Sequence, residues 1–334
     1  LFGFAITNEI NNVDIAILDH SKDVETQKII DKIKSSPYFK IENQIDTEKD
    51  IESEFKKGKV KAVLIFETNF SKNLETKKVA TIQAVTDATE PNVANTVANY
   101  IGALIQNDQL QKNRLTSSQI KVEVQSRMFY NPELKSVFNF VPGVMTVILM
   151  LVSAMMTSIS ITREKELGTM EILLVSPLKP FQVIIGKVFP YIFLSIVNAI
   201  VILVLGFFVF KMPINGSLFL LMFESILFIL SALSLGILIS TISDSQQTAM
   251  MLSLMGLMLP VIILSGFIFP ISSMPMPMQV ISNIIPAKWF IIIVKAIMLK
   301  GVGIHYIWKE TLVLVGMTIF FIALSIKKYK IRLE

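Results

Sequence analysis

The chain has 334 residues, 52% of them hydrophobic and 17% charged, with a mean hydropathy of +0.61 and no cysteine. A soluble domain carries about 25% charged residues, so these values exclude an ordinary soluble enzyme, a disordered chain and a disulfide-stapled secreted domain. The net charge of +5 hides a split: residues 1–136 hold 18 Lys/Arg and 19 Asp/Glu (net −1), while residues 137–334 hold 13 and 7 (net +6).

Leu1-Phe2-Gly3-Phe4-Ala5-Ile6 opens the sequence. Six apolar residues cannot cross hydrocarbon about 30 Å thick, which takes roughly 20 in a helix. There is no basic n-region and no complete h-region, so this is not an intact signal peptide. Two readings stand: the frayed first strand of a soluble domain, or the last turns of a transmembrane helix. We adopt the second, with residues 1–6 as the remnant of a first helix.

Residues 7–136 predict a polar α/β domain. Val13 to Leu18 reads as a strand, Val24 to Ile33 as a helix, and Phe39 to Glu42 with Ile45 as a second strand. Thr47 with Asp50 resembles a capping box ahead of a helix bearing Ile51 and Phe55, which Gly58 ends. Strands follow at 61–66 and 79–85, then a long helix from Pro91, then a last strand around Ile120, Val122 and Val124. Alternating strands and helices imply a compact domain. No Gly-rich phosphate loop follows any strand. His20 has no Cys or His neighbour and reads as a surface or structural residue rather than a ligand.

From residue 137 the signal changes. Apolar runs at 141–161, 188–210, 218–242, 248–269 and 307–326 give five full spans. Glu224 is the one ionisable residue deep within them, and Lys309 and Lys327 can snorkel at the ends of the last. The fold class is therefore a polytopic α-helical membrane protein, with an α/β domain between the first helix and the second. Arg163, Lys165, Lys179 and Lys187 between two spans, and Lys327, Lys328, Lys330 and Arg332 in the tail, place both segments in the cytoplasm. The α/β domain then lies outside. Segment 270–308 conflicts with this rule, since it carries Lys288, Lys295 and Lys300. Pro270, Pro275, Pro277 and Pro286 break any long helix there. The apolar stretch 289–299 is too short to span and reads as interfacial or re-entrant.

Segment 162–180 follows the first full span. As a helix it places Leu167, Met170, Leu173 and Leu174 on one side, with Arg163, Glu164 and Lys165 largely elsewhere. Such a helix can bind the membrane interface or a partner protein. A plain solvated loop is the alternative. The order Arg163-Glu164-Lys165-Glu166-x-Gly168-Thr169-x-Glu171-x-Leu173-Leu174-x-Ser176-Pro177, followed by Gly186-Lys187 and Pro190-Tyr191, resembles the type 2 permease subunits of ABC exporters, in the drug- and sodium-export-like branch. The likeness covers essentially the whole chain, with the start of the first helix missing.

That resemblance implies a segment which packs against a separate ATPase subunit and transmits its nucleotide-driven closure. Arg163, Glu164, Glu166, Gly168, Thr169 and Glu171 would form the coupling surface, on a segment that includes Leu173, Leu174 and Pro177. Charges of both signs suit recognition of one partner. The implied partners are the ABC ATPase, which would hold the ATP and Mg, a second permease in a homo- or heterodimer, and membrane lipid. A periplasmic adaptor would accompany export across two membranes. The implied location is the bacterial inner membrane, and the substrate an amphiphilic or hydrophobic molecule leaving the cytoplasm or inner leaflet.

No G-x-x-x-x-G-K-[ST] loop occurs, so no ATP site and no enzymatic activity are expected on this chain. With two His and no Cys, a Cys/His zinc site is excluded, and neither a cofactor nor nucleic acid is expected. Glu224 has two readings, an interfacial anchor or a residue of the transport path. Ser195, Asn198 and Ser231 read as polar glue between helices, and Met250, Met251, Met255 and Met258 as flexible packing. Two other functions compete. An ion-driven secondary transporter would need more intramembrane ion sites and internal repeats. A membrane-anchored sensor or scaffold would leave the 163–177 motif without a role.

Overall fold

The structure is a computed structural model that describes residues 12–115, 121–169 and 180–328. The remnant helix expected at residues 1–6 lies outside the described residues. Contacts divide the chain into two units after residue 138.

In the first unit, β1 (Val13–Asp19), α1 (Val24–Lys34), β2 (Phe39–Gln44), α2 (Lys49–Lys57), β3 (Ala62–Phe66), α3 (Phe70–Thr76), β4 (Val79–Asp87), α4 (Pro91–Leu115) and β5 (Lys121–Phe129) alternate. The sheet order is β2-β1-β3-β4-β5, parallel except between β3 and β4. Strand side chains point to opposite faces in turn. Ile15, Ile17, Leu64 and Ile82 therefore face one core with Ile29, Ile33, Val97 and Ile101 of α1 and α4. Ala16, Leu18, Val63 and Val85 face a second core with Ile51 and Phe55 of α2. The unit is a three-layer α/β sandwich.

One local expectation is corrected. Thr47 donates to the Asp50 carboxylate at 2.6 Å, but α2 starts behind Glu48 with no side-chain cap. The two side chains satisfy each other and leave the backbone uncapped. The capping box instead opens α1: Asp23 accepts the N–H groups of Glu25 and Thr26, and Thr26 Oγ1 accepts the Asp23 N–H. The short helix α3 carries too few residues to show a period in the sequence.

The second unit is helical. Its main helices are α5 (Val137–Glu166), α6 (Pro180–Phe208), α7 (Leu218–Thr241) and α8 (Gln246–Leu264). The pair α9 (Met276–Ser282) and α10 (Pro286–Met298) follows, and then α11 (Ile304–Lys328). Among the described residues five helices are long and apolar enough to cross a membrane, or six if the α9–α10 pair, bent by 81°, is one span. Pro277 and Pro286 sit in the first turns of α9 and α10, where a missing N–H costs nothing.

Helix α7 is the centre, packed by α6, α10 and α11. Gly236 lets α5 approach it: a Cβ there would lie 2.4 Å from the Ala154 carbonyl oxygen. Small residues at such crossings allow close packing in lipid. The hydroxyls of Ser153 and Ser195 join α5 to α6 at 2.8 Å, and those of Ser158 and Ser253 join α5 to α8 at 2.8 Å. Ser231, expected as glue, has a buried hydroxyl without a partner. Helix α8 contains a π turn at Leu254–Met258, which its sequence did not announce, and it ends at Leu264 rather than at 269.

Candidate functional site

Of segment 162–180, read from the sequence as a surface helix, residues 162–166 continue α5, and residues 170–179 lie outside the described residues. Gly168 then adopts φ +71°, and its N–H bonds the Lys165 carbonyl at 3.1 Å. A left-handed glycine ends helices because it has no Cβ to clash. The chain turns, and the Thr169 hydroxyl folds back onto the Glu164 carboxylate. Glu171, Leu173, Leu174 and Pro177 lie outside the described residues.

The last turn of α5 holds four consecutive ionic residues, and Glu164, Lys165 and Glu166 each engage a different element. Glu164 accepts the Lys187 ammonium of α6 at 2.5 Å, with both side chains partly exposed. Lys165 donates to the Ser240 carbonyl in the last turn of α7. Glu166 accepts the N–H of Gln246, the first residue of α8, at 2.8 Å.

Helix physics explains two of these contacts. The final carbonyls of a helix lack intrahelical partners and carry partial negative charge, so a lysine suits the end of α7. The first N–H groups lack partners and carry partial positive charge, so a carboxylate suits the start of α8. Lys165 and Glu166 thus address the two ends that the 242–245 turn holds together.

Arg163 is exposed on the same turn, as is Leu167. Of the residues singled out from the sequence, the structure gathers Glu164, Glu166, Gly168 and Thr169. It adds Lys165, Lys187, Ser240 and Gln246. The basic pair was visible within the motif, but its partners were not.

Glu224 lies apart, in the second turn of α7, and is fully buried. It therefore does not reach the surface as an interfacial anchor would. One carboxylate oxygen accepts the Thr311 hydroxyl of α11 at 2.7 Å. Among the described residues no group of three or more His, Asp or Glu is placed to hold a metal. His20 is exposed.

The ABC-2 family transporter protein model matches residues 1–327. The chain is 32% identical over 337 residues to a probable multidrug ABC transporter permease of Escherichia coli, YbhS, covering all of this chain and 89% of that protein. It is 30% identical over 310 residues to a second one, YbhR, covering 93% and 84% respectively. An Escherichia coli inner membrane transport permease, YhhJ, is 29% identical over 325 residues, covering 94% and 85%. No solved structure matches. With its several apolar helices, this multi-pass membrane protein belongs to the ABC-2 transporter family of permeases.

Proposed function

We propose that this chain is the permease subunit of an ATP-driven exporter, working as a dimer with a separate ABC ATPase. Its substrate is an amphiphilic or hydrophobic molecule leaving the cytoplasm or the inner leaflet of the bacterial inner membrane. The α/β unit stands outside, and the end of α5 faces the cytoplasm with the ATPase.

The single observation behind this reading is the ionic turn at the end of α5. Glu164, Lys165 and Glu166 link that turn to α6, α7 and α8. A push on the end of α5 would therefore reach the ends of three other helices together. A partner that itself changes state can bias a two-state bundle only through such differential contacts. The absence of a phosphate-binding loop from the sequence leaves ATP hydrolysis to the partner.

The test is to co-purify the full-length permease with the ATPase encoded beside it and reconstitute both in lipid. ATPase stimulation and substrate efflux are then compared with those of Glu171→Lys and Glu166→Lys. Retained assembly with loss of stimulated efflux supports the reading. An absent complex, or full efflux by both variants, sinks it.

A further inference from the structure

Among the described residues, Glu224 is the fully buried carboxylate of the helical unit that the coupling turn does not use. It is fully buried on α7, and only one of its oxygens is satisfied. The other, Oε2, is buried with no hydrogen-bond partner. Glu310, beside Thr311 on α11, also has a buried Oε2 with no partner. A buried acceptor without a donor is costly, and more so for a charged group.

The charged residues on the packed helices do not fill the gap. Lys295 on α10 is buried and engaged in an interaction, yet leaves Glu224 Oε2 without a donor. Lys309 of α11 lies 5.8 Å from the Trp308 ring. Helix α6 brings only Lys187, which is bound to Glu164. One turn deeper along α7, Phe228 stacks on Phe290 of α10 with centroids 4.2 Å apart. Both rings are fully buried.

We propose that Glu224, positioned by Thr311, recognises the positively charged group of a cationic amphiphile during transport. Glu310 adds a second acceptor, and the Phe228–Phe290 pair supplies aromatic surface to the apolar body. Carboxylate oxygens accept hydrogen bonds and attract cations, and aromatic faces favour cations as well. The site is closed here between α7, α10 and α11, and opens as those helices separate. This inference rests on the permease reading and names the substrate class.

The test uses full-length permease in lipid nanodiscs with its ATPase. Tetraphenylphosphonium is the cationic probe and triphenylphosphine oxide the neutral one, with binding measured by equilibrium dialysis. Wild type binds the cation roughly tenfold or more tightly than the neutral probe. Glu224→Gln, which keeps the shape and the Thr311 contact, loses that preference and binds the neutral probe unchanged. Glu310→Gln, an independent variant should the first not fold, lowers the preference in part. A wild type without preference, or Glu224→Gln with the preference intact, overturns the inference. Failure of the ATPase to associate counts against the permease reading instead, because dialysis still reports on the cation site.

Discussion

The carboxylate of Glu166 accepts the backbone N–H of Gln246, 80 residues further along the chain and the first residue of α8. The neighbouring Lys165 holds the Ser240 carbonyl at the end of α7. A helix-end charge is worth about 0.3–1 kcal/mol, so losing one leaves the fold standing. Reversing it places a cation against the positive end of α8. We expect Glu166→Lys to keep its thermal midpoint within a few degrees while stimulated efflux falls about tenfold, the scale of a coupling of 1–3 kcal/mol. Efflux and thermal unfolding, measured on the same preparation, check this. Glu166→Gln falls between that variant and wild type.

The Glu164–Lys187 pair makes a prediction about compensation. Each single reversal, Glu164→Lys or Lys187→Glu, sets like charges against each other across the end of α5 and the start of α6. The double reversal restores attraction. Because both side chains are partly exposed, the pair is worth about 0.2–1 kcal/mol in a double-mutant cycle on stability. Stimulated efflux should recover in the double variant well beyond either single one. Equal defects in all three variants would show that the contact is incidental.

Gly236 and Gly186 make a matched pair for packing. A Cβ at Gly236 meets the Ala154 carbonyl oxygen at 2.4 Å, whereas at Gly186 it meets nothing within 4 Å. Backbone cannot swing aside as a side-chain tip can. Gly236→Ala is expected to destabilise by about 1–3 kcal/mol, read as a lower thermal midpoint in detergent. Gly186→Ala is neutral or slightly stabilising, since alanine favours helix.

Asp23 contributes to the acid behaviour of the α/β unit. Burial raises its pKa, but hydrogen bonds from the Ser21 hydroxyl and the N–H groups of Thr26 and Ser71 outweigh that and hold it well below the usual range. A carboxyl depressed in the folded state stabilises the fold above its unfolded pKa, and loses that effect as pH falls. Protection of α1 against hydrogen exchange should therefore weaken as pH drops below about 4. Asp23→Asn starts less protected at pH 7, and its gap from wild type narrows on acidification.

Patterns governed by near neighbours were readable. The short apolar run from Val13 to Leu18 reads as a strand and forms β1, and the glycine that ends α2 has φ +71°. Run length found the apolar helices, because the bilayer imposes a length that no local accident imitates. Contacts at long separation were not readable. Nothing near Lys165 points to Ser240, and nothing near Glu224 points to Thr311. The α1 capping box escaped because threonine takes the position where glutamate is usual. The end of α5 was misplaced because the charges from Arg163 to Glu166 looked like a break in the span. In the fold they continue the helix to the glycine turn.

The wide turn at Leu254–Met258 gives α8 a mechanical character of its own. A π turn packs an additional residue into one revolution and weakens the regular ladder of backbone bonds at that place. The segment from Gln246 to Ser253, gripped at its start by Glu166, can twist against Leu259–Leu264 without the helix coming apart. On the proposed coupling route, α8 therefore carries a joint where α7 runs as one uninterrupted helix, so the two would pass on a push from α5 unequally.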